Sequence, residues 1–177
     1  MKEFDSRVAA IGDDQWGLQT PNTQWSVRDV VNHLVYEDLW APPLFSGSTI
    51  QEVGDRFDGD VLGDDPKGAW RSASIEALGV IEAPGAMERI VHLSFGDVPG
   101  NEYALQLFAD HLIHAWDLAR GIGSDERLDP ELVDACTEWF GPFESAYRSW
   151  GAIADRPEIP EGADAQTRLL AMWGRRA

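Results

Sequence analysis

The stretch Asn101-Glu102-Tyr103-Ala104-Leu105-Gln106-Leu107-Phe108-Ala109-Asp110-His111-Leu112-Ile113-His114-Ala115-Trp116-Asp117-Leu118 decides the fold class. Leu105, Phe108, Leu112, Ile113 and Trp116 recur at helical spacing and form one apolar stripe, with Asn101 as a candidate cap and Gly121 and Gly123 as the stop. Asp110 and His114 are four residues apart and therefore share a face. His111 and His114, three apart, make a competing pair, and spacing alone does not choose between Asp110 and His111. Glu102, Gln106, Asp110 and His114 form a polar string along this helix, which reads either as a solvated face or as a seam turned towards a cavity.

Working outward, the rest of the chain is also mostly helical in its periodicity. Phe4, Val8 and Ile11 mark a short first helix, and Gly17 and Pro21 a connector. Ser26 with Asp29 three residues on is an acidic form of the capping box ahead of Val27, Val30, Val31, Leu34 and Val35. This second helix is predicted to run to about Trp40, where Pro42 and Pro43 remove consecutive amide donors. Residues 47–65 are acidic and Gly-containing and are predicted to be a mobile loop at the edge. A third helix is predicted from Pro66 through Ile81, stopped by Pro84-Gly85. Residues 89–95 alternate in part and suggest an extended excursion before the turn at 96–100. Asp129-Pro130-Glu131 opens a fifth helix, Gly141-Pro142 interrupts it, and Ala165 to Trp173 closes the chain. The fold class is all-α, with residues 1–177 forming a single domain.

His33 lies in the second helix among apolar neighbours, where a lone imidazole is ordinarily a satisfied core residue. It gains meaning from combination, because helical bundles build metal sites from ligands on facing helices. One histidine from each of two helices plus a carboxylate leaves a coordination position open for water or substrate. His92 has no partner at ligand spacing and reads as a surface or turn residue.

Composition excludes several classes. A formal net charge of −17 disfavours nucleic acid and anionic membrane surfaces as partners. No apolar stretch has the length of a membrane span, and the acidic opening Met1-Lys2-Glu3-Phe4-Asp5 is unlike a secretory signal. Cys136 is the single cysteine, so an internal disulfide and a CxxC motif are excluded, and it is expected to be a buried small hydrophobe. A cytoplasmic protein is the expectation. Phosphate loops, nucleophile elbows and His-Glu-x-x-His runs are absent from the sequence.

Three stretches carry a resemblance. Trp25-Ser26-Val27-Arg28-Asp29-Val30-Val31-Asn32-His33-Leu34 resembles a helix start of the DinB-like proteins, especially the metal-binding domain of mycothiol-dependent maleylpyruvate isomerase. Asp110 to Arg120, with His114-Ala115-Trp116-Asp117-Leu118-Ala119, is similar to that family's fourth-helix motif, in which an acid and a histidine four apart complete the metal site. Arg168-Leu169-Leu170-Ala171-Met172-Trp173-Gly174-Arg175-Arg176 is similar to the close of many stand-alone members. The resemblance implies a DinB-like four-helix bundle in up-down-down-up order with short accessory helices, binding zinc or nickel through His33, Asp110 and His114. The isomerase motif has Glu where this chain has Asp110, one methylene shorter, and many DinB-like proteins have His there, so His111 stands as the alternative ligand. Asp117 belongs to the matched motif and either orients a ligand histidine or pairs with Arg120.

The function implied is a metal-dependent transferase or isomerase that uses mycothiol, or another low-molecular-weight thiol, on a small electrophile. A metal-bound thiol is held as thiolate, the useful nucleophile. The family's isomerase carries a further C-terminal domain that contributes to its active site, and this chain ends soon after the bundle, so maleylpyruvate isomerisation itself is not expected. The alternative is a metal- or small-molecule-binding bundle without turnover. A homodimer is the oligomer that the resemblance suggests.

Overall fold

Helix-start signals account for most of the architecture seen in the computed structural model, which describes residues 1–177. The chain forms α1 (Lys2–Ala10), α2 (Val27–Phe45), α3 (Ile50–Val53), α4 (Pro66–Ile81), strands β1 (Ile90–Leu93) and β2 (Gly96–Pro99), α5 (Gly100–Ile122), α6 (Pro130–Phe140), α7 (Glu144–Ser149) and α8 (Ala165–Met172). The fold is mostly helical, with one small two-stranded antiparallel sheet in which Ile90 pairs with Pro99 and Leu93 with Gly96. The partial alternation at 89–95 is thus the first arm of a hairpin.

Caps begin the helices where short polar side chains can reach orphan amides. Ser26 accepts from the Asp29 amide, and the Asp29 carboxylate accepts from the Ser26 amide in return. Asp65, Asp129 and Asp164 do the same work for α4, α6 and α8. At α5 the expected Asn101 cap is not used. The strand β2 runs straight into the helix, and the Gly100 and Asn101 amides donate to the carbonyls of Arg89 and Met87 instead.

Two further expectations are corrected. α2 does not stop at Trp40 but continues through Pro42 and Pro43 to Phe45. The last turn is closed after the prolines, whose carbonyls both accept from the Ser46 amide, with Pro42 also accepting from the Ser46 hydroxyl. Residues 47–65 are not a bare loop. Thr49 and Glu52 form a capping box on α3, Asn32 bonds the Gly59 carbonyl and the Val61 amide, and Arg28 pairs with Asp60 at 2.7 Å. Val53 and Leu62 are buried, so the segment is anchored by both polar and apolar contacts.

The main core lies where α1 packs on α4 and α5 and where α2 packs on the same two helices. α6 joins it from the side, carrying α8 against its other face. Trp70, Trp116, Phe4 and Phe140 are fully buried there, and the Trp70 indole N–H is satisfied by Asp5 at 3.0 Å. Cys136 sits in this core as expected, and burial pushes its thiol up to about 12, far from any reactive state at neutral pH. No helix is long and apolar enough to cross a membrane.

Candidate metal centre

α2 and α5 pack side by side, and this contact brings His33 to Asp110 and His114. The three residues each present a ligand-capable atom, all within 4.8 Å of one another. Asp110 bridges the two imidazoles, with Oδ2 2.9 Å from His33 Nε2 and Oδ1 3.4 Å from His114 Nε2. Asp110, although one methylene shorter than the family's Glu, reaches both imidazoles. His33 and His114 meet edge to face at 5.1 Å, and Trp25 lies over both rings at 4.8 and 5.5 Å.

Charge explains the local titration. Burial alone disfavours the ionised Asp110, but the flanking His33 and His114 outweigh it and hold the carboxyl well below the usual range. Burial likewise works against a charged His33, and Asp110 overcomes it, so His33 is raised. Glu37, 4.0 Å from His33 Nδ1, is pushed up to about 7, first by burial and then by the neighbouring Asp110 charge.

Behind His114 stands a fully buried Asp117, with Oδ2 2.9 Å from Nδ1. The contact is close but poorly aligned, leaving that nitrogen without a well-directed hydrogen bond. Asp117 does not pair with Arg120, the partner weighed from the sequence. Arg120 instead meets Glu126 at 3.3 Å and covers the Trp116 ring at 5.1 Å. The partner is Arg175, whose Nε and Nη2 donate to the two Asp117 oxygens at 3.2 and 2.8 Å. Burial opposes the Asp117 charge, and the His114 and Arg175 contacts more than compensate, so its carboxyl is depressed. Arg175 is aimed inward by Gly174, which takes the left-handed conformation at φ 74° and leaves no room for a Cβ beside Ala154.

His111 is placed elsewhere. Nδ1 lies 2.6 Å from the Leu107 carbonyl, and Nε2 lies 3.2 Å from the fully buried Asp38. The ring sits beside Phe4 and Trp70, so both nitrogens are engaged away from His33 and His114. His92 is a half-buried strand residue held by Asp97 at 2.7 Å.

A cavity of about 380 Å³ opens over the three grouped residues. Glu37, Gln106, Trp139, Tyr147, Trp173 and Arg175 contribute to its walls. Sequence reasoning missed most of these. Trp139, Tyr147, Trp173 and Arg175 come from segments far along the chain, with no spacing relation to either motif. The one usable signal for Arg175 was its place in the closing stretch that carried the third resemblance.

In this mostly helical protein two histidines and an aspartate from facing helices, gathered beneath a cavity, define a candidate metal site. Residues 1–119 match the mycothiol maleylpyruvate isomerase N-terminal domain, and the chain belongs to that family. It is 32% identical over 181 aligned positions to the uncharacterized proteins MT0763 and Rv0738 of Mycobacterium tuberculosis, strains CDC 1551 / Oshkosh and ATCC 25618 / H37Rv. The alignments cover 97% of this chain and 91% of each relative. No solved structure matches the chain.

Proposed function

We propose that this protein binds one divalent metal ion through His33, Asp110 and His114 and uses it to activate a low-molecular-weight thiol against a small electrophile. The observation that carries the reading is the convergence of the three ligand-capable atoms within 4.8 Å at a cavity. The donor set fits the ion: two imidazoles and a carboxylate suit zinc or nickel, and His114 has a carboxylate behind its other nitrogen, as metal-bound imidazoles generally do. His111, turned to Asp38 and Leu107, is not in the proposed ligand set. In this reading α1, α2, α4 and α5 are the four helices of a DinB-like bundle in up-down-down-up order, consistent with the mutual packing of neighbouring pairs.

A divalent ion held there would supply the positive charge that keeps a thiol ionised near neutral pH. The chain's own residues do the rest. Trp25 shields both imidazoles from one side and limits water there. Asp117 and Arg175 fix the orientation of His114. Glu37, a carboxylate of the cavity outside the ligand set, takes the thiol proton. The sulfur lone pair forms the new bond to the electrophilic carbon as that carbon's π bond, or its bond to a leaving group, breaks, and the proton held by Glu37 goes to the atom that takes up the displaced electron pair. Family membership supports mycothiol as the thiol. A reducing cytoplasm is the compartment in which such a thiol stays available.

The test is cobalt substitution. Mycothiol, or a simpler thiol, should add a thiolate-to-cobalt charge-transfer band near the ultraviolet edge. An unaltered spectrum at saturating thiol removes the thiol chemistry and leaves a binding module without turnover.

A further inference from the structure

The walls of the cavity are aromatic, and their rings are held in place by contacts of their own. Trp139 donates its indole N–H to Glu102 at 3.2 Å, and Trp173 is stacked on Phe140 with ring centroids 4.1 Å apart. Tyr147 meets Phe140 edge to face at 5.3 Å. Rings fixed before a ligand arrives favour a planar guest, because little side-chain freedom remains to be lost on binding.

The charges in the same walls point in one direction. Glu37 and Asp110 face the cavity, while Arg175 is the one guanidinium among its lining residues and lysine is not represented. Each nitrogen of Arg175 already has a partner, which leaves one N–H on each terminal nitrogen and a charge that Asp117 balances. Nε and Nη2 are on Asp117, and Nη1 donates to the Trp173 carbonyl at 2.9 Å. His33 and His114, the remaining groups able to carry positive charge, are turned to Asp110. An incoming anion therefore meets two carboxylates and a cation already committed to a buried acid. Drawing Arg175 away from Asp117 towards an anion would strand a buried carboxylate, so the guanidinium is held where it is with its charge already balanced. An ion on the proposed ligands does not reverse this, because Asp110 and the thiolate bound beside it together balance two positive charges.

We propose that this cavity selects an uncharged, planar aromatic co-substrate and turns away dicarboxylates, with Gln106 and Tyr103 as neutral hydrogen-bonding groups for its polar substituent. This rests on the reading that the cavity is where the thiol reacts.

A matched pair of probes tests it in metal-free protein without thiol, so a failure of the metal or thiol reading is seen separately, by metal content and by the cobalt spectrum. Para-nitrobenzyl alcohol and para-nitrobenzoate share a ring and differ in charge, and both quench tryptophan fluorescence. The alcohol should saturate with a Kd lower by about tenfold or more. Trp139→Leu should weaken it by about fivefold or more, a loss of roughly 1 kcal/mol by the same relation. Ala152→Arg, at an exposed position on the cavity's edge, should narrow the gap by strengthening nitrobenzoate. Equal or tighter nitrobenzoate binding to the unmodified protein overturns the proposal. So does the absence of saturable alcohol binding, or unchanged affinity for both probes in the two variants.

Discussion

His111 and His114 stand three residues apart on α5, both buried and both beside a carboxylate, yet their surroundings differ in kind. His111 is turned to Asp38 and the Leu107 carbonyl, with Phe4 and Trp70 against its ring. His114 keeps one nitrogen against Asp117 and turns the other to an acid that it shares with His33 at a cavity. Residue type, burial and an acidic neighbour are common to both. What separates a ligand candidate from a structural histidine is a ring nitrogen left facing donor atoms that converge from a second helix.

The comparison is sharpened most by removing the support behind His114. Arg175→Met strands a buried Asp117 charge, and the expected loss is about 3–5 kcal/mol of stability in urea unfolding. Metal affinity should fall by about tenfold or more, since the carboxylate then no longer holds His114 in place. Arg175→Lys should restore part of both, because it returns the charge without the paired geometry. Unchanged stability in Arg175→Met would show that Asp117 has another partner.

A turn earlier on the same helix, His111→Ala removes the partner of Asp38 and leaves a void beside Phe4 and Trp70. The expected cost is about 3 kcal/mol, with metal content unchanged. A large fall in metal content in a folded His111→Gln protein would break the comparison and return His111 to the ligand set.

The smallest effect concerns α2, which carries both His33 and Asp38. Ser26→Ala opens the capping box and should cost about 1 kcal/mol. Hydrogen exchange should rise first in the turn before His33, ahead of the turn bearing Asp38. The Asp29 carboxyl is held below its usual range, chiefly by the Ser26 hydroxyl and amide. Because its folded value is depressed, its contribution is complete above the ordinary carboxylate range and fades as pH falls through the folded value. That acid sensitivity should weaken in the Ser26→Ala protein, which keeps the amide but not the hydroxyl.

Local signals made much of this legible from the sequence. Caps at Ser26 and Asp129 depend on neighbours two or three residues away, so their helices could be read directly. The grouping of His33 with Asp110 and His114 was suggested by helical spacing and by resemblance. What spacing could not give was direction: His111 and Asp110 are adjacent in sequence, and only the position of α2 shows which of them faces His33. For Asp117 the motif left two roles open, orienting a ligand histidine or pairing with Arg120, and its cationic partner lies 58 residues further on at Arg175. The end of α2 runs past the expected stop because the turn that contains Pro42 and Pro43 is closed from beyond them by Ser46, whose amide and hydroxyl bond the proline carbonyls. The segment 47–65 looked loose because its anchors, Arg28 and Asn32, are on α2.

The central claim is most directly tested by elemental analysis of protein purified without an affinity tag, alongside His33→Ala, His114→Ala and His111→Gln proteins shown to be folded by circular dichroism. The account predicts about one zinc or nickel ion per chain in the unmodified and His111→Gln proteins, and loss of it in the other two. Metal retained in both His33→Ala and His114→Ala, or absent from the unmodified protein even after incubation with excess zinc and nickel, would contradict it.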